Sequence, residues 1–268
     1  MSVIKIRNLE VSYGHIKVLQ RISFSILEKS FFIIIGPNGS GKTTLLKTLS
    51  AVEGASKGEI YFNDKLMTTY PRKKLAQKIA MVPQIISDEF PFTVLEMVTM
   101  GRSPYQGVLG LSSLKDARLV VQALEFTDTT YLADRKMNQL SGGERQRVMI
   151  ARAICQDPDI ILLDEPTAAL DLAHQIRIMD LMESLRKEKG MTVVMVSHDI
   201  NLAAMYGDEI LLLKEGKILQ AGSPFEVLTF DGLEEAYGCL LLVDKSPLGD
   251  FPRITPVPNR LKITTSAK

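Results

Sequence analysis

Lys42 and Thr43 close the run Gly36-Pro37-Asn38-Gly39-Ser40-Gly41-Lys42-Thr43, which fits the pattern GxxxxGK[ST]. Residues of these types at this spacing bind phosphate. Glycines at 36, 39 and 41 let the backbone curl until successive N–H groups point inward at phosphate oxygens. Lys42 adds a point charge for the β- and γ-phosphates, and the Thr43 hydroxyl is an oxygen ligand for magnesium. An apolar run, residues 31–35, precedes the loop, and the helix-forming Thr44-Leu-Leu-Lys-Thr-Leu follows it. That is the strand–loop–helix context this chemistry requires, with the positive end of the helix facing the phosphates. Gly36, Pro37, Asn38, Gly39, Ser40, Gly41, Lys42, Thr43 and Thr44 are therefore the expected nucleotide contacts.

Two acids, Asp164 and Glu165, end the apolar run of residues 160–163. Ligands of an open parallel sheet lie at the carboxyl ends of its strands, which puts both acids beside the nucleotide. Asp164 is placed to hold magnesium, and Glu165, one residue on, to polarise the attacking water as general base. A third signal is Leu140-Ser-Gly-Gly-Glu-Arg-Gln-Arg147. Ser141 and Glu144 have the S-x-x-E spacing of a capping box, so a well-capped helix is one reading. Gly142 and Gly143 leave backbone N–H groups bare at a positive helix end, so a second phosphate cradle is the other.

Strands and helices must alternate to bring these groups together. Residues 31–35, 160–163, 193–196 and 210–213 are short uninterrupted apolar runs, which fit strands buried on both faces of a parallel sheet. A helical pattern over residues 172–187 lies between two of them and is closed by Gly190. Residues 1–30 and 58–63 alternate instead and predict an antiparallel layer. Residues 86 to about 157 carry helical patterns without a buried strand, with Ala117, Val120, Val121 and Leu124 at i, i+3, i+4, i+7. The expected fold is α/β: a P-loop NTPase core with a mainly parallel sheet, an N-terminal antiparallel β layer and an inserted helical subdomain. The core domain spans residues 1–230, and a C-terminal extension follows over 231–268, where residues 240–243 predict a buried strand.

Composition narrows the class. A chain of 268 residues, 46% hydrophobic and 24% charged, can bury one large core. Its 32 basic and 31 acidic residues leave a net charge of +1, which excludes the basic footprint of a nucleic-acid binder. Cys155 and Cys239 form no CxxC and are expected to be buried free thiols in a reducing compartment. No apolar run approaches the roughly 20 residues that span a bilayer, and the N-terminus lacks an apolar leader. The expectation is a cytosolic protein that reaches any membrane through another chain.

In their order along the chain, the phosphate loop, LSGGERQR, IILLDEPT and Ser197-His198-Asp199 resemble the ATP-binding-cassette (ABC) ATPases, over about residues 3 to 230. The resemblance implies an ATPase subunit of a membrane transporter. It also implies a head-to-tail dimer in which ATP and Mg2+ lie between one copy's phosphate loop and the other copy's Ser141, Gly142 and Gly143. Tyr13 resembles the aromatic that stacks on adenine, a position an edge-strand tyrosine also explains. Gln84, after Pro83, resembles the glutamine that touches magnesium together with Thr43 and Asp164 and reports to the membrane partner. His198 resembles the switch histidine that acts with Glu165 and Lys42 in catalysis. Ala169-Leu-Asp171 resembles the D-loop, with alanine where many members carry serine.

Met97-Val-Thr-Met-Gly-Arg-Ser-Pro-Tyr105 is similar to the subgroup serving iron-chelate, haem and cobalamin importers. The implied function is ATP hydrolysis at the cytoplasmic face of the membrane, powering import of an iron-siderophore, haem or cobalamin-type chelate. The implied partners are a second copy, multi-span permease subunits and an extracytoplasmic substrate-binding protein, with no nucleic acid. An exporter ATPase subunit and a soluble scaffold or regulatory ATPase are the alternatives. The groove between the helical insertion and Gln84 is the expected seat of the permease's coupling helix, and the apolar loop of residues 105–111 fits either a partner-facing surface or a buried satellite cluster.

Overall fold

The computed structural model describes residues 1–84, 91–107, 113–168 and 170–258. The chain opens with a long hairpin, β1 (Ser2–Tyr13) and β2 (Ile16–Leu27), then enters β3 (Phe31–Ile35) and, past the phosphate loop, α1 (Lys42–Leu49). Next, β4 (Lys57–Phe62) pairs with β1, and β5 (Lys65–Leu66) pairs with β4. These strands form the expected antiparallel sheet, in the order β2-β1-β4-β5. Through α2 (Arg72–Lys78) the chain reaches β6 (Ile79–Val82). It then builds a helical layer of α3 (Val94–Thr99), α4 (Leu114–Phe126) and α5 (Gly142–Cys155), with no named strand among its described residues.

The remainder alternates: β7 (Ile160–Asp164), α6 (Leu172–Lys189), β8 (Thr192–Val196), α7 (Ile200–Tyr206), β9 (Glu209–Lys214) and β10 (Lys217–Gly222). The central sheet has the order β10-β9-β3-β8-β7-β6, and β6 through β9 all run parallel within it. The four apolar runs are thus adjacent strands. Their side chains divide by parity. Phe31, Ile33, Leu163, Val193 and Leu212 enter one core against the helices, whereas Phe32, Ile34, Leu162, Val194 and Leu211 enter a second core under the antiparallel sheet and α1. Burial on both faces is why these strands show no polar alternation.

Four expectations change. In α4 the buried face is Asp116, Val120, Ala123 and Leu124, while Ala117 and Val121 point outward. The helix is rotated because Arg102 draws Asp116 inward (below). The chain continues through α8 (Pro224–Val227) and α9 (Phe230–Tyr237), so the boundary expected at 231 falls inside a helix whose Leu233 and Ala236 join the helix-side core. The strand expected at 240–243 is present as β11 (Leu241–Lys245), but among the described residues it pairs only with β12 (Pro252–Pro256), and Leu242 is exposed rather than buried. Cys155 is buried, which pushes its thiol up to about 11, whereas Cys239 lies exposed after the helix end. Among the described residues no helix is long and apolar enough to cross a membrane.

Candidate functional site

Because β3, β6, β7 and β8 run parallel, the residues just after each strand collect at one edge of the sheet. These are the phosphate loop, Gln84, Asp164 with Glu165, and His198. The loop wraps the start of α1, whose N-cap is Gly41 and carries no side-chain cap, so its first-turn N–H groups have no side-chain acceptor. Gly36 begins the loop with φ +148, and a Cβ there would lie 2.1 Å from the Leu213 carbonyl oxygen, so only glycine fits. The Lys42 ammonium is buried and donates to the carbonyls of Gly36 (2.9 Å) and Pro37 (3.0 Å). Burial lowers its pKa, opposed by the charges of Glu165 and Asp164.

Thr43 Oγ1 donates to Asp164 Oδ1 at 3.0 Å, joining the two expected metal ligands. Burial raises the Asp164 pKa, against the Thr43 hydrogen bond. A buried carboxylate beside a hydroxyl is a set of hard oxygen donors whose charge a divalent cation would neutralise, and it fits magnesium. The Ser40 hydroxyl is buried without a partner, a polar atom in the loop still open to a ligand.

Glu165 is gripped from two sides. Gln84 Nε2 donates to Oε2, and His198 Nε2 lies 2.5 Å from Oε1. Its own N–H donates to the Val196 carbonyl at 3.2 Å, and its backbone sits in the left-handed region at φ +51. Three residues from the ends of β6, β7 and β8 thus meet at one carboxylate. A cavity of about 380 Å³ opens beside it, lined by Asn38, Gly39, Gly41, Lys42, Thr43, Thr44, Glu165 and also Val18 of β2. A second cavity of about 370 Å³, between α1, β4 and α2, includes none of these loop residues.

Of the expected nucleotide contacts, Asn38, Gly39, Gly41, Lys42, Thr43 and Thr44 line the Lys42 cavity, whereas Gly36, Pro37, Ser40, Gln84, Tyr13, Ser141, Gly142 and Gly143 are not among its lining residues. Tyr13 is exposed at the β1–β2 turn opposite Ile16, and the β2 residue that reaches the cavity is Val18. Ser141, Gly142 and Gly143 open α5 elsewhere. Their capping box is fully formed, with Ser141 Oγ accepting from Glu144 N at 3.3 Å and Glu144 Oε2 accepting from Ser141 N at 2.8 Å. The capped helix is therefore present, and its first residues are not among those lining this chain's own cavity.

Sequence reasoning missed two supports. Asp171 caps α6 and accepts from His174 through both its backbone N–H (2.9 Å) and Nδ1 (2.8 Å). The His174 ring then packs closely enough on Gly143 that a Cβ there would lie 2.5 Å from Cδ2. The D-x-x-H spacing is the signal that points to it. The second support is Arg102, buried within the 97–105 motif. Its Nε donates to Asp116 Oδ1 (2.7 Å), its Nη1 to the Cys155 carbonyl (2.8 Å), and its guanidinium lies 3.8 Å over the Tyr105 ring. Tyr105 in turn donates to the Gln77 carbonyl at 3.1 Å, so the motif is the joint between α2, α4 and α5. Residues 85–90, 108–112 and Ala169 lie outside the described residues, and with them much of the expected coupling seat and part of the D-loop.

The sequence profile of the family described as ABC transporter matches residues 19–168, from β2 past Glu165. The chain belongs to the ABC transporter family. This ABC cassette is 36% identical over 258 residues to the ferric enterobactin transport ATP-binding protein FepC of Escherichia coli K12, covering 96% of the chain and 95% of that relative. It is 38% identical to the iron(3+)-hydroxamate import ATP-binding protein FhuC of Bacillus subtilis, covering 88% of each. Among solved structures, a metal-chelate type ABC transporter in an inward-facing conformation matches with TM-score 0.85 at 30% identity, over 97% of this chain and 99% of that one. The dimeric cassette MJ0796 bound to ADP and Pi matches with TM-score 0.71 at 34% identity, over 82% and 98%. As an ABC cassette, the chain is an ATP-binding subunit whose ATP hydrolysis powers transport.

Proposed function

We propose that this cassette hydrolyses ATP in the Lys42 cavity, at the cytoplasmic face of the membrane, to drive import of an iron-siderophore or haem-type chelate through a multi-span permease. The observation that carries the chemistry is Glu165, held at the cavity by Gln84 and His198. Fixed by both oxygens, this carboxylate is oriented to take the proton of a water attacking in line on the γ-phosphate. Lys42 exchanges its loop carbonyls for phosphate oxygens and stabilises the charge that develops there, helped by the loop N–H groups. Thr43 and Asp164, joined by Gln84 on its release from Glu165, would hold magnesium, which when bound supplies further charge neutralisation. His198 keeps Glu165 in place and shares the proton.

Ser141, Gly142 and Gly143 find their phosphate in a second copy, a reading supported by their absence from the lining of the chain's own cavity. The dimeric form of MJ0796 supports that reading. FepC and FhuC support the cargo class, and an extracytoplasmic substrate-binding protein completes the system. Co-expressing the tagged chain with membrane proteins encoded beside its gene, and measuring ATP-driven uptake in proteoliposomes, tests the reading. Co-purification of a permease that takes up a ferric chelate or haem is expected. ATPase activity with no membrane protein retained would overturn it in favour of a soluble ATPase.

A further inference from the structure

His198 is exposed, and among the described residues Glu165 is its one hydrogen-bond partner. The aim of an exposed ring is set chiefly by the backbone on either side of it. On the β8 side that backbone is fixed, since Ser197 N donates to the Ile34 carbonyl of β3 at 3.0 Å. On the other side lies α7, only seven residues long, whose N-cap Asp199 accepts from Leu202 N at 2.9 Å. A helix this short does not hold itself in water, so its placement depends on what it is tied to.

Side chains tether α7 at each end. At the far end, the Tyr206 hydroxyl donates to Asp180 Oδ1 of α6 at 2.7 Å. At the end nearer His198, Asn201 grips β12: its Nδ2 donates to the Ile254 carbonyl at 3.0 Å, and its Oδ1 accepts the Ile254 N–H at 2.8 Å. The pairing of the C-terminal hairpin explains why both backbone groups are there to be gripped. Ser246 N donates to the Phe251 carbonyl and Val257 N to the Leu240 carbonyl. Antiparallel pairs alternate, so between these bonds Leu242–Thr255 and Asp244–Arg253 are the hydrogen-bonded pairs, and Val243–Ile254 is not. The Ile254 N–H and carbonyl therefore turn away from β11, and one amide side chain satisfies both. Ile254 is itself buried in the helix-side core, so the clasp ties the exposed start of α7 to a fixed point.

We propose that Asn201 is a positioning residue for hydrolysis: its clasp on Ile254 fixes the first turn of α7, and thereby the reach of His198 to Glu165. The proposal rests on the reading of Glu165 and His198 as the hydrolytic pair. It gives the C-terminal hairpin, none of whose residues lines the Lys42 cavity, a part in the reaction. Releasing the hairpin lowers turnover and leaves ATP binding as it was, because the phosphate loop is positioned by β3 and α1 instead.

The test is Asn201→Ala in the full chain, set beside Tyr206→Phe and His198→Ala. Asn201 is exposed, so its truncation opens no cavity in the core. ATP turnover, fluorescent ATP titration and thermal unfolding are measured for each variant. A reacting group misplaced by about 1 Å costs on the order of 10²-fold, so kcat in Asn201→Ala should fall roughly 10- to 100-fold with ATP affinity unchanged. Asn201→Asp keeps the acceptor for the Ile254 N–H and should recover part of that loss. Tyr206→Phe releases the far tether and should lower the melting temperature while leaving kcat alone. Asn201→Ala combined with His198→Ala should turn over no more slowly than His198→Ala by itself, because both changes remove the same contact. Unchanged kcat in Asn201→Ala would overturn the proposal, as would a fall in ATP affinity that matches the fall in kcat. Equal kcat losses in Asn201→Ala and Tyr206→Phe, or additive losses in the double variant, would also overturn it, leaving Asn201 a stabilising contact and nothing more. Wild-type turnover in His198→Ala would overturn the reading of the hydrolytic pair and this proposal together.

Discussion

Removing the Asp116 carboxylate, as Asp116→Ala, leaves the Arg102 guanidinium only 2% exposed with its partner gone. The Cys155 carbonyl and the Tyr105 ring remain, and neither carries a negative charge. Breaking a buried pair from one side costs about 3–5 kcal/mol, since the remaining charge has lost both its water and its counterion. The same carboxylate closes the α4 capping box, accepting from Ser113 N at 2.9 Å, and loss of a cap costs about 1 kcal/mol. The two terms overlap, so about 4 kcal/mol is expected, a large share of the roughly 5–15 kcal/mol that holds a protein folded. At about 2–4 °C per kcal/mol, the midpoint should fall by about 8–16 °C in calorimetry of the nucleotide-free chain. Adding Arg102→Ala removes the stranded charge, so the double variant should lose less than the two single losses summed. A drop below about 1 kcal/mol for Asp116→Ala would refute the reasoning, because it would put the pair among exposed ones.

Acid should expose the same group. Hydrogen bonds from Ser113, then the Arg102 contact, hold the Asp116 carboxyl down at about 2, against an ordinary value of 3.8. Its stabilisation is therefore complete above the ordinary value and is lost as pH falls through about 2. The melting temperature of the wild type should approach that of Asp116→Ala over that window; a constant gap would contradict it. Glu165→Gln should cut ATP turnover by about 10²–10⁴-fold while fluorescent ATP still binds, and turnover at the wild-type rate would remove Glu165 as base. Gly143→Ala must push the His174 ring aside and release its bond to Asp171. Turnover should fall with the monomer's ATP affinity intact, whereas unaltered turnover would show that His174 does not shape this helix start.

What could be read from the sequence was whatever is local or repeated. The four central strands declared themselves because Ile34 and Leu162 need apolar neighbours as much as Ile33 and Leu163 do, on opposite faces of one sheet. The clustering of Lys42, Asp164 and Glu165 followed from parallel strands, whereas Gln84 and His198 were named through the family resemblance. Arg102 and Asp116 escaped notice because a charge in an amphipathic pattern reads as solvated, and only the tertiary partner makes it buried. Ala117 was misplaced for the same reason, since that ion pair, not the apolar stripe, sets the rotation of α4. Leu242 looked like core because apolar runs predict strands better than they predict what covers them.

The left-handed backbone of Glu165 has a bearing on how this protein would respond to engineering. A side chain with a Cβ costs on the order of 1 kcal/mol at such a dihedral, and glycine would relieve it. Heat tolerance and turnover therefore pull position 165 in opposite directions. A library sorted only for survival at high temperature would enrich glycine there and return robust, inert chains. Any stabilisation campaign would need transport, rather than solubility, as its gate.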